Sequence, residues 1–153
     1  MATYNKFNVF VADLGAAKHD FANDTIRALL TNTAPNAADT VVDTTTTTCT
    51  IKSTSNAAEI AAATGYAKKG PQCTVSSWGQ SSGTAKLVLA DTVITAGADI
   101  GPFQYVTIYN DSKGTTSTRP VIAWWNYGTS ITLHNGETFT LDFDDTNGVL
   151  TIA

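Results

Sequence analysis

The chain has 153 residues, a net charge of −4 and a sequence pI near 4.8, with 42% hydrophobic and only 14% charged residues. That length supports one core of ordinary size. Lys68-Lys69 is the longest basic run, which argues against a nucleic-acid binder with its clustered basic footprint.

No stretch approaches the ~20 apolar residues of a membrane span. The opening "MATYNKFNVFVADL" lacks the basic region, apolar block and small-residue site of a signal peptide. Threonine is the commonest polar residue: 27 threonines stand against 9 Lys and Arg together. Its β-branched side chain suits a half-buried pleated surface, so the composition favours strands.

In chain order, Phe7, Phe10, Val11 and Leu14 follow the i, i+3, i+4, i+7 spacing of a short amphipathic helix. Asn5 is its expected cap, Gly15 weakens its far end and "KHD" at 18–20 closes it. Ile26, Ala28 and Leu30 then alternate through "DTIRALLTNTAP", a strand stopped at Thr33-Ala34-Pro35. Residues 36–55, "NAADTVVDTTTTTCTIKSTS", carry no aromatic residue. They read as an exposed loop or as an edge strand "VVDTTTTTCTI", and in either case as an extended, projecting segment. Ser55 or Asn56 is expected to cap a short Ala-rich helix that Gly65 ends, with Lys68-Lys69 beyond it. The segment 36–70 is thus read as an extended insertion with a short helix inside a single domain, 1–153.

From residue 72 the pattern is β. "CTVSSW", "TAKLVLADTVI", "FQYVTIYND", "PVIAWW", "SITL", "TFTLDF" and "VLTIA" are separated by Gly, Pro, Asn, Asp or Ser. "GQSSG" and "GADIGP" read as turns. Asn135-Gly136 and Asn147-Gly148 predict type I′ hairpins, because both residue types tolerate positive φ. No repeat at a fixed period is present. The expected fold is mainly β: an antiparallel β-sandwich or jelly roll, with a short N-terminal helix over one open end or face and a second short helix.

Candidate chemistry is sparse. Cys49 and Cys73 lie 24 residues apart with no Cys or His at metal spacing, and read as two free buried thiols rather than a disulfide. In "VIAWWNY", alternation sends Val121, Ala123 and Trp125 to one face and Ile122 and Trp124 to the other. One Trp belongs to the core; the second needs internal cover, a partner protein or a sugar. His134 and Glu137 flank a turn and predict a cross-turn contact. Neither they nor His19 lie in any short nucleophile signature. Asp142, Asp144, Asp145 and Asn147 suggest calcium, but Thr146 occupies the third ligand position and Gly148 falls one residue late. Solvated strand-end carboxylates and a weak cation site shared between subunits are the two readings. Glu59 and Glu137, the only glutamates, fall on the expected second helix and a turn tip, unlike the paired carboxylates of a glycosidase.

Five segments together carry a family resemblance: "MATYNKFNVFVADL", "ALLTNTAP", "SSGTAKLVLAD", "IGPFQYVTIYND" and "WWNYGTSITLHNGETFTLDFDDTNGVLTIA". The chain resembles a family of small tailed-bacteriophage virion proteins of the capsid decoration (cement) type, least so from about Asn36 to Gly70. The resemblance implies a β-rich structural protein with no catalytic residues, no cofactor and no metal. It implies a place on the capsid surface after assembly in the host cytoplasm. The expected partners are the major capsid protein and further copies of the chain as a dimer or trimer, with no nucleic acid and no membrane. Tyr4, Phe7 and Phe10, as an arm or helix touching the shell, and Trp124 and Trp125 are the expected interface residues. The alternative is a tail- or fibre-associated β domain that recognises a cell-surface glycan through Trp124 or Trp125.

Overall fold

The computed structural model describes residues 2–153. The chain begins with strand β1 (Thr3–Lys6) and helix α1 (Val9–Gly15). There follow β2 (Ile26–Thr31), β3 (Val41–Asp43), β4 (Thr50–Lys52), β5 (Ala57–Ala58) and β6 (Gln72–Cys73). The second half supplies β7 (Val75–Ser81), β8 (Thr84–Leu89), β9 (Thr92–Thr95) and β10 (Ile100–Asn110). It ends with β11 (Arg119–Leu133), β12 (Thr138–Leu141) and β13 (Leu150–Ile152). The chain is mainly β, and every strand pair is antiparallel.

The largest sheet runs β5-β4-β3-β11-β10-β2-β6, with β1 also paired to β11. Its middle strands bury both faces. Ile26, Ala28, Leu30, Val106 and Ile108 point into one core, where they meet Phe10 of α1, Leu87, Leu89, Ile94, Leu141 and Phe143. The strands behind those partners form two small sheets, β13-β8-β7 and β12-β9, giving a sandwich-like layering. Leu29, Tyr109 and Val121 point to the opposite face, into a second core with Phe7, Val42, Cys49 and Ile51. Asp111, one residue past β10, pins the strand ends: Arg27 Nε lies 3.0 Å away, Arg119 Nε 3.3 Å and Lys69 Nζ 3.4 Å.

The second core exists because the large sheet curls until it nearly meets itself. β3 pairs with the start of β11, and β4 and β5 follow in order. Glu59, just after β5, then bridges back to Thr31 of β2. A buried network seals the seam. Glu59 Oε2 accepts from Cys49 N at 2.9 Å and Oε1 accepts from Tyr66 Oη at 3.0 Å. Tyr66 Oη in turn accepts from Leu30 N at 3.0 Å. Asp39 fastens the same region. Its buried carboxylate accepts from the backbone N–H groups of Asn36, Ser53, Thr54 and Ser55 and from the Ser55 hydroxyl. Burial pushes its pKa up, but these hydrogen bonds outweigh burial and hold it below the usual carboxylate value.

Several expectations need correction. The segment 36–70 does not project: Val42, Ile51 and Ala57 are fully buried, and the segment supplies one wall of the second core. No second helix forms there. Asn56 adopts φ 49°, Ala57 pairs with Ile51, and tertiary pairing overrides the helical preference of the alanines. Gly65 is required for a different reason than a helix end: at φ 100°, a Cβ there would lie 2.0 Å from the Thr95 carbonyl oxygen.

The N-terminal helix starts later than its pattern suggested. Asn8 stands at its N-cap and makes no side-chain cap hydrogen bond, while Asn5 belongs to β1. Phe7 therefore precedes the helix and enters the second core, and Val11 faces solvent at 57% exposure.

Neither Asn-Gly pair makes a hairpin. Gly136 and Gly148 have positive φ but the asparagines do not, so the geometry is not type I′. Each turn passes between sheets: β12 pairs with β9, and β13 with β8. The tight hairpin is β7–β8, where Ser82 (φ 53°) and Gly83 (φ 85°) both take positive φ.

Cys49 lies in one core and Cys73 in the other, and both are free. Burial first, then the Glu59 carboxylate, pushes the Cys49 thiol up to about 12; burial pushes Cys73 up to about 11.

Tyr66→Phe strands a buried N–H and a buried carboxylate oxygen. It is expected to lower stability by about 1–3 kcal/mol in urea titration. Neither thiol is expected to react with a disulfide reagent in the folded chain, and both react once denaturant opens the cores.

Candidate functional site

The tryptophan pair divides as strand geometry requires, but not in the expected company. Ile108 pairs with Ala123 and Tyr109 with Val121, so Ile122 is an extra residue on β11. This β-bulge breaks the alternation. Ile122, Ala123 and Trp125 therefore share the first core, while Val121 and Trp124 share the second. Trp124 is half-buried with its ring centroid 6.1 Å from that of Tyr105, and its Nε1 is buried with no partner among the described residues.

Trp125 occupies the floor of an open groove of about 610 Å³. Val106 and Tyr127 lie beside it, Phe139, Thr140, Leu141, Asp142 and Phe143 form one wall, and Ala2 completes the lining. A second hollow of about 500 Å³ shares Trp125, Asp142 and Phe143 and continues toward Tyr4, Asp144 and Val149. The rings hold one another edge-on. Tyr4 lies 5.5 Å from Trp125, Trp125 5.9 Å from Phe143, and Tyr127 5.8 Å from Phe139. The first contact follows from register, because Tyr4 of β1 stands directly opposite Trp125 of β11. Partial burial there raises the Tyr4 phenol pKa. Tyr127 remains 49% exposed and Tyr4 42%.

Of the five expected interface residues, the structure brings together Tyr4 and Trp125. Trp124 lies on the opposite face. Phe7 and Phe10 are core instead: at 0% and 1% exposure each packs into a different cluster, and Phe10 reaches only the bottom of a hollow beside Tyr4 and Val11. Tyr127 and Phe139 escaped the sequence reading. Tyr127 stands two residues after Trp125, so period-2 spacing placed it on the same face. Phe139 showed only as one apolar position in "TFTLDF", and its meeting with Tyr127 is tertiary.

His134, Glu137 and Asp144 are held by local contacts. His134 N donates to Glu137 Oε2 at 2.7 Å, and His134 Nδ1 lies 3.2 Å from Asp99 Oδ1 in a highly exposed pair. Asp144 accepts from Thr146 N, Asn147 N and Asn147 Nδ2, which folds the acidic stretch into a turn. Among the described residues no three His, Cys, Asp or Glu side chains converge as a metal cage. Glu59, expected on a helix, is instead the sealed carboxylate of the second core.

His19 stacks on Phe21 at 5.3 Å and lies 5.2 Å from Phe10. Burial lowers its pKa to about 4 against the opposing pull of Asp13 and Asp24.

Comparison with known proteins finds no matching family, no significantly similar curated protein and no significantly similar solved structure.

The His19 shift has a definite sign. Above pH 6.5 the ring is neutral in both states and the stability is fully present. As pH falls from about 6.5 to about 4 the unfolded chain takes up the proton first, so stability declines through that window. Urea midpoints measured across this range are expected to fall, and His19→Phe to flatten the decline.

Proposed function

We propose that the chain is a structural virion protein of a tailed bacteriophage: a capsid decoration, or cement, subunit that binds the major capsid lattice and stabilises the head. The observation that carries this reading is the aromatic groove at Trp125 and Tyr127, an apolar recess open to solvent on a rigid sheet frame. The groups with intrinsic reactivity, Cys49, Cys73 and Glu59, are sealed in the two cores away from it. A surface of this kind suits protein contact rather than turnover. The sequence resemblance points the same way, and placement on capsid symmetry axes favours self-association as a dimer or trimer.

A second reading, a tail-associated glycan-binding domain, is favoured by one feature: the exposed Tyr127 ring lies in the same recess as the Asp142 carboxylate. The deciding experiment is cryo-electron microscopy of purified particles that contain the chain. Density over the shell between capsomers supports the cement reading, and density confined to the tail supports the second. Particles without the chain refute both.

A further inference from the structure

The groove is built along the edge of a strand. β12 has one partner strand, β9, and its other edge pairs with nothing among the described residues. Phe139, Thr140 and Leu141 line the groove consecutively. A strand facing the groove with one side alone would present alternate side chains, so the unbroken run fits a groove that follows the strand's edge. That edge presents unpaired backbone N–H and C=O groups beside an apolar floor, the arrangement by which an added strand is recognised.

The rim selects further. Among the described residues, Asp142 and, farther along, Asp144 are the only charged ones lining the groove and its extension, and no Lys or Arg lines either hollow. Asp144 is spent on its own turn. The Asp142 carboxylate is exposed and has no partner among the described residues.

We infer that this groove seats an extended segment of a partner protein. The segment pairs its backbone with the free edge of β12, lays apolar side chains on Trp125 and Tyr127, and brings a lysine or arginine to Asp142. Naming the capsid protein as the source of that segment rests on the cement reading; the chemistry of the segment rests on the groove.

The test uses the full chain, isotopically labelled, and two blocked peptides. Both alternate valine and threonine; one carries lysine at each end, the other glutamate. The lysine peptide is expected to shift the amide signals of Thr138–Leu141 and the Trp125 indole. It should bind at least about tenfold more tightly than the glutamate peptide, the scale of a partly desolvated charge pair. Asp142→Lys, an exposed change, should reverse that preference, and Tyr127→Ala should weaken both peptides while leaving the rest of the spectrum in place.

Shifts that map elsewhere, no shift at all, equal affinity for the two peptides, or binding of a hexose oligosaccharide in their stead would overturn the inference. The failures are separable. Shell density without peptide binding refutes the groove alone. Peptide binding by a chain absent from the shell refutes the cement reading alone.

Discussion

The register of β11 is the constraint from which most of the structure follows. This fifteen-residue strand is shared along both edges: β10 takes one side, while β3 and β1 divide the other. The extra residue at Ile122 lets it serve two cores in succession. Without that bulge, period-2 alternation would keep Val121 and Trp125 on one face and place Trp124 with Ile122. With it, Val121 closes the second core, Ile122 and Ala123 fill the first, and Trp125 emerges on the face that becomes the groove. The local break in the ladder at Ile122 is offset by apolar packing on both sides of the strand.

A sheet buried on both faces needs something to cover the second one, and the chain uses the sheet itself. β3, β4 and β5 curl over the far side of β2, β10 and β11, held by backbone pairing and by buried acids rather than by a thick apolar layer. Asp39 and Glu59 do different work there. Asp39 is surrounded by donors from its own neighbourhood and fixes the turn at 53–55. Glu59 joins β2, through Tyr66, to the segment before β4, so its loss would open the seam. A buried carboxylate is tolerated only when donors converge on it, and both sites meet that condition.

The same economy explains the surface. With Cys49, Cys73 and Glu59 enclosed and most charged residues engaged in ion pairs or turns, the distinctive features left to the surface are shape and a few exposed large apolar side chains. The groove concentrates both, because β12 belongs to a two-stranded sheet too small to cover the floor beside it.

Much of this was legible in the residues. Alternation at Ile26–Leu30, the β-branched composition and the Gly, Asn and Asp punctuation after residue 72 dictate short antiparallel strands, because period and turn chemistry are local properties. The separation of Trp124 from Trp125 is equally local. The wrong readings share one cause. "SNAAEIAAATG" has helical propensity, yet its Ala57 pairs with β4 and its Glu59 closes a seam formed by residues far away. The two Asn-Gly pairs mark real turns, but which strand each following segment joins depends on sheets assembled elsewhere in the chain. Phe7 and Phe10 look alike in the sequence and enter opposite cores. The sequence by itself determined strand type and turn positions. Only the tertiary structure decided partner strands, the β11 bulge and the groove, because these arise from contacts between residues distant in the chain.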